Sequence, residues 1–215
     1  MMSKINEKYK NAINAIIAVT LYFIWPSLTK YFVNMLNGQV NELYTFISNI
    51  ILLIILFIIY HKNILSSLKK ISLRRILYLF GIIVVVQMIT NLLSVALIGV
   101  KNHNTYGGLL PDFLKNYPVL AIMSLVIIFP IVESITFNKT LRDIINSKWA
   151  FIICSSLFFW LVNLLAFDFR FVSIIATMSC FTTSIVINYF YYKDNNISSV
   201  IMVKMIYNLI FLLLP

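Results

Sequence analysis

The sequence predicts an all-α integral membrane protein, a polytopic bundle of about seven transmembrane helices. Three observations predict it. The 215-residue chain is 61% hydrophobic and only 11% charged, whereas a soluble domain is near half apolar and about a quarter charged. Apolar runs of roughly 20 residues, long enough to span a bilayer as helices, recur from end to end. The mean hydropathy is +0.93. No room is left for a separate soluble domain, so residues 1–215 read as a single integral membrane domain.

The first span covers about 11–36. Lys4, Lys8 and Lys10 precede it, as in a signal peptide, but the apolar run exceeds a signal's core and shows no small-residue cleavage site. It reads as an uncleaved first helix. Pro26 is expected to kink it, and Lys30 can snorkel from its far end. The second span, 43–61, is followed by a basic loop with His61, Lys62, Lys69, Lys70, Arg74 and Arg75. The third, 75–100, carries Gln87 and Asn91 on one face, four residues apart. Gly107, Gly108 and Pro111 then mark a loop. The remaining spans are 118–137, 148–167, 170–192 and 198–214. Tyr189, Tyr191 and Tyr192 crowd one span end, as in an interfacial aromatic belt.

Net charge is +10, from 17 basic and 7 acidic residues. Its distribution argues for membrane orientation, not nucleic-acid binding. With the N-terminus cytoplasmic, 12 of the basic residues fall in inside segments, 3 in outside segments, and Lys30 and Lys204 within spans. Cytoplasmic loops attract such an excess. Cys154 and Cys180 both fall inside spans, away from any metal or redox spacing, and read as packing residues.

Candidate chemistry sits in the C-terminal half. Glu133 lies near the end of the fourth apolar span, and an ionisable group at such depth marks a functional site by default. Pro130, three residues before it, removes a backbone donor and is expected to free the carbonyl of Val126. Phe159 and Asn163 share a face of the fifth span, and Lys204 and Asn208 share a face of the seventh, each pair four residues apart.

Three stretches carry a family resemblance: Glu133-Ser134-Ile135-Thr136-Phe137-Asn138, Phe159-Trp160-Leu161-Val162-Asn163 and Lys204-Met205-Ile206-Tyr207-Asn208. In order, spacing and helix placement they resemble the CPBP (CAAX protease and bacteriocin-processing, or Abi) family of intramembrane proteases. That family carries Glu-Glu-x-x-x-Arg, Phe-x-x-x-His and His-x-x-x-Asn/Asp on successive helices. The resemblance covers roughly residues 118–214. It implies that Glu133, Asn163, Lys204 and Asn208 occupy catalytic positions, with Ser134, Asn138 and Phe159 at the other motif positions.

The departures are chemical. Ser134 replaces the second glutamate, Asn138 the arginine, and Asn163 and Lys204 the two histidines. The resemblance implies a site in which glutamate and histidines activate water and stabilise an oxyanion, with or without a metal. A zinc site needs about three ligands from His, Cys or carboxylate, yet the only histidines, His61 and His103, lie outside the bundle centre. No metal or other cofactor is expected.

A lone lysine in a bilayer centre costs on the order of 3 kcal/mol on insertion scales. Pairing Lys204 with Glu133 offsets that; the competing expectation is that both snorkel to the interface. The resemblance, with these substitutions, points to a non-catalytic pseudoprotease in a bacterial cytoplasmic membrane. Its role would be bacteriocin immunity or maturation, or binding a peptide or transmembrane partner protein. Two alternatives stand: an active endopeptidase using Glu133, and a structural subunit of a membrane transport complex. A serine nucleophile at Ser134 with Lys204 as base is a further arrangement to look for.

Overall fold

The computed structural model describes residues 2–35, 42–99, 110–165 and 170–213. His103 and the expected loop at Gly107 and Gly108 lie outside the described residues. Among the described residues the chain is helical throughout, with no strand. Eight helices follow in order: α1 (Met2–Met35), α2 (Glu42–Leu68), α3 (Leu73–Ile98), α4 (Leu110–Asn116), α5 (Pro118–Ile144), α6 (Lys148–Leu164), α7 (Phe171–Asp194) and α8 (Ile197–Leu213).

Five of these, α1, α2, α3, α5 and α7, contain stretches long and apolar enough to cross a membrane. α6 and α8 are shorter apolar helices of 17 residues each, about 26 Å long at 1.5 Å per residue. The helical membrane bundle is as expected, with five helices of spanning length and two shorter apolar ones among the described residues where the sequence suggests seven spans. The additional element is α4, which begins beside Pro111 where the sequence suggests only a loop.

Several spans extend beyond their apolar runs. α2 continues past His61 to Leu68, so His61 and Lys62 lie on the helix and not in a loop. α5 continues past Phe137 to Ile144. Backbone hydrogen bonding carries these helices through polar residues that a hydropathy window excludes. α1 runs through Pro26 without interruption. Neighbouring groups serve that region, with Thr29 Oγ1 donating to the Trp25 carbonyl at 2.9 Å and Trp25 Nε1 to the Ser48 carbonyl at 2.9 Å.

The surface is that of a lipid-facing bundle. α3 exposes Leu77, Met88, Leu92 and Leu97 while burying Gln87, Thr90 and Ser94. A helix at the surface of a water-soluble protein does the reverse. Without a hydrophobic drive between helices in lipid, close packing and hydrogen bonds between them hold the bundle together. α8 packs against α2, α3 and α5, α7 against α3 and α6, and α1 against the second half of α5.

Several ties gather basic residues on one side. The hydroxyls of Ser67 and Ser198 hydrogen-bond to each other, and Asn196 Nδ2 donates to the Lys70 carbonyl at 3.0 Å. Arg75 reaches Asp194 at 3.9 Å. Lys10 shares a surface depression with His61 and Lys62. Arg142 stacks over Tyr192, its guanidinium 4.3 Å from the ring centroid.

Candidate intramembrane site

α5 is not a uniform α-helix. Ser124–Ile128 and Ser134–Thr140 are π-helical, and the short α-helical segment Phe129–Glu133 lies between them. Such wide turns occur often at functional sites. Because α5 runs on to Ile144, Glu133 sits well inside the helix and not near its end. The eleven residues that follow it span about 16 Å, roughly half the hydrocarbon thickness.

Pro130 explains part of this local structure. In the first π stretch the amide of Phe129 donates to the Ser124 carbonyl, five residues back. The next bond in that register would run from residue 130 to Leu125, and proline has no N–H to make it. Asn208 Nδ2, from α8, donates to the Leu125 carbonyl at 2.8 Å instead. The carbonyl served from another helix is therefore that of Leu125, not of Val126 as an α-helical register suggests.

Glu133 is buried, and Lys204 Nζ lies 3.4 Å from its Oε2. The two side chains come from α5 and α8. Neither snorkels: their side chains are only 10% and 11% exposed. Lys204 also lies over the ring of Phe159, with Nζ 4.6 Å from the centroid. That cation–π contact is favourable and strengthens where water is excluded. Phe159 in turn meets Phe137 edge to face at 5.5 Å, and Phe137 meets Tyr22 of α1 at 5.1 Å. The aromatic chain runs from Lys204 to α1, whose Tyr22 lies near enough to Glu133 to feel its charge.

A cavity of about 80 Å³ opens beside the pair. Glu133, Lys204, Phe159 and Asn208 line it, together with Gln87, Thr183 and Tyr207. It has room for a few waters and the polar partners to hold them. The sequence places Gln87 on one face of the third span with Asn91; the structure adds that it lines the same cavity as Glu133.

The other motif positions go elsewhere. Asn163 Nδ2 donates to the Phe159 carbonyl of its own helix at 2.7 Å, and Asn163 does not line the cavity. Ser134 is fully buried, its hydroxyl has no hydrogen-bond partner among the described residues, and it too is absent from the cavity wall. The geometry gives no serine–lysine dyad. Asn138 Nδ2 donates to Asn188 Oδ1 of α7 at 2.6 Å.

Asn188 is the hub of a network that sequence reasoning missed. Its Nδ2 reaches Ser156 Oγ at 3.0 Å and Ser184 Oγ at 3.2 Å. Ser155 Oγ lies 2.5 Å from the Phe137 carbonyl and 3.0 Å from Asn188 Oδ1. Asn138, Ser155, Ser156, Ser184 and Asn188 are all buried. The network ties α5, α6 and α7 together behind the second π stretch.

The donor set does not fit the family's metal. Around the cavity stand one carboxylate, the single thiol of Cys180, one ammonium and neutral amide and hydroxyl groups, fewer than the three metal ligands a zinc site needs. Among the described residues no group of three His, Cys, Asp or Glu side chains gathers to hold an ion. His61 Nδ1 lies 2.8 Å from the Ile58 carbonyl and borders a different depression with Lys62.

Fold and site define a multi-pass helical membrane protein with a buried polar centre between α5 and α8. Residues 115–210 match the family described as Type II CAAX prenyl endopeptidase Rce1-like. The match spans the helices that carry Glu133, Phe159, Lys204 and Asn208, and over that part of the chain it agrees with the CPBP resemblance. No curated protein and no solved structure matches the chain significantly.

Proposed function

We propose that this chain is a CPBP-type membrane protein that acts by binding and not by hydrolysis. One observation carries the reading: Lys204 Nζ stands 3.4 Å from Glu133, at a motif position where the resemblance places a histidine. The family's chemistry needs a group to pass a proton onward and a metal or histidine to stabilise the oxyanion. Here the carboxylate faces a lysine, and the neighbouring groups are amides, hydroxyls, aromatic rings and the thiol of Cys180. The arrangement favours an ion pair that stabilises the bundle over a water-activating centre.

On this reading the protein binds a peptide or the transmembrane helix of a partner protein. It serves in bacteriocin immunity or maturation, or regulates another membrane protein. The basic side formed by α2, α3, α7 and α8 supports a cytoplasmic placement for that side and for the N-terminus, in a bacterial cytoplasmic membrane.

Co-purification of the full chain from membranes, as wild type and as Glu133→Gln/Lys204→Met, tests the proposal. The partner is expected to remain with the charge-free double variant. If Glu133→Ala instead abolishes cleavage of a membrane substrate while expression and melting are unchanged, the chain is an endopeptidase and the binding reading fails.

A further inference from the structure

An apolar groove of about 480 Å³ runs down the outer surface between α2 and α8, floored by Ile131 of α5. Phe57, Ile64 and Leu68 line one wall, and Ile201, Met202 and Met205 the other. From Leu53 to Leu68 it follows sixteen residues of α2, about 22 Å of helix. That is more than the depth of one hydrocarbon leaflet.

The groove ends at Leu68, Ile71 and Ser198. There the connection between α2 and α3 carries Lys69 and Lys70, and the first turn of α3 carries Arg74 and Arg75, all exposed. Arg75 meets Asp194 at 3.9 Å. The end of the groove is also built rigidly. Asn196 holds the Lys70 carbonyl, Ser198 N donates to Ser67 Oγ at 3.3 Å, and Ser198 Oγ to the Ile64 carbonyl at 3.2 Å.

We infer that this groove binds one acyl chain of an anionic phospholipid, whose phosphate is held by Lys69, Lys70 and Arg74 at its end. An apolar channel of leaflet depth fits a lipid tail. Cations at its end select a negative headgroup, each basic residue near the membrane surface contributing on the order of 1 kcal/mol. The inference does not depend on the Glu133 site.

Native mass spectrometry of the purified full chain, supplied with phosphatidylglycerol or phosphatidylcholine, tests it. Wild type is expected to retain phosphatidylglycerol at least tenfold better. Lys69→Gln/Lys70→Gln/Arg74→Gln should erase that preference while leaving phosphatidylcholine retention and the melting temperature unchanged. Met202→Trp, which fills the groove at a half-exposed position, should lower retention of both lipids with the basic residues intact. Equal retention of the two lipids by wild type overturns the inference. So does an unchanged preference in the triple variant, or a lipid-free dimer that Met202→Trp dissociates.

Discussion

Asn208 of α8 donates a 2.8 Å hydrogen bond to the Leu125 carbonyl of α5, the group left without a donor by Pro130 in the π register. A side chain on one helix thus completes the backbone of another. Buried acceptors left unsatisfied cost about 1–3 kcal/mol, so the break at Pro130 and the amide at Asn208 belong to one device.

Asn208→Leu should therefore destabilise the protein by about 1–3 kcal/mol. In a Pro130→Ala background residue 130 regains its N–H, and the same substitution should cost less than half as much. A double-mutant cycle on thermal or denaturant unfolding in detergent checks this. Equal costs in both backgrounds would separate the two residues.

The Glu133–Lys204 pair makes a second cycle. Removing one member of a buried ion pair leaves an uncompensated charge, at a cost of about 3–5 kcal/mol. Glu133→Gln and Lys204→Met should each approach that figure. The double substitution should lie well below their sum, because no charge is then left alone. Additive losses would mean that the two side chains do not depend on each other.

At the polar hub, Asn188→Leu removes bonds to Asn138, Ser155, Ser156 and Ser184 together. A loss of at least about 2–3 kcal/mol is expected, since several buried groups lose partners at once. Ser184→Ala removes one 3.2 Å contact and should cost about 1 kcal/mol or less. The ratio of these two losses, read from unfolding midpoints, shows whether Asn188 organises the network.

Much of the architecture was legible because a bilayer imposes a simple rule: a helix of about 20 apolar residues must appear for each crossing. The helix ends were less legible. The segments His61–Leu68 and Asn138–Ile144 are polar enough to look like loops, yet their backbone bonding continues the helices. At the site, the four-residue spacings put Phe159, Lys204 and Asn208 on faces that converge with Glu133. The same spacing misplaced Asn163, whose amide turns back to its own helix. Asn188, Ser155, Ser156 and Ser184 gave no signal, since single small polar residues scattered over two helices form no motif. The π stretches were hidden as well, because the shift to a five-residue register depends on Pro130 and on a donor from a distant helix.

The bonds along α8 also fix its height. Ser198 is held to Ser67 and Ile64 near one end, and Asn208 to Leu125 near the other. A helix anchored at two levels cannot slide along the membrane normal by one turn, about 5.4 Å, without breaking both anchorages at once. Lys204 lies between them. Its vertical position beside Glu133 is thus set by the two anchorages as well as by electrostatic attraction, and neutralising either charge should leave the rung of the ladder where it is.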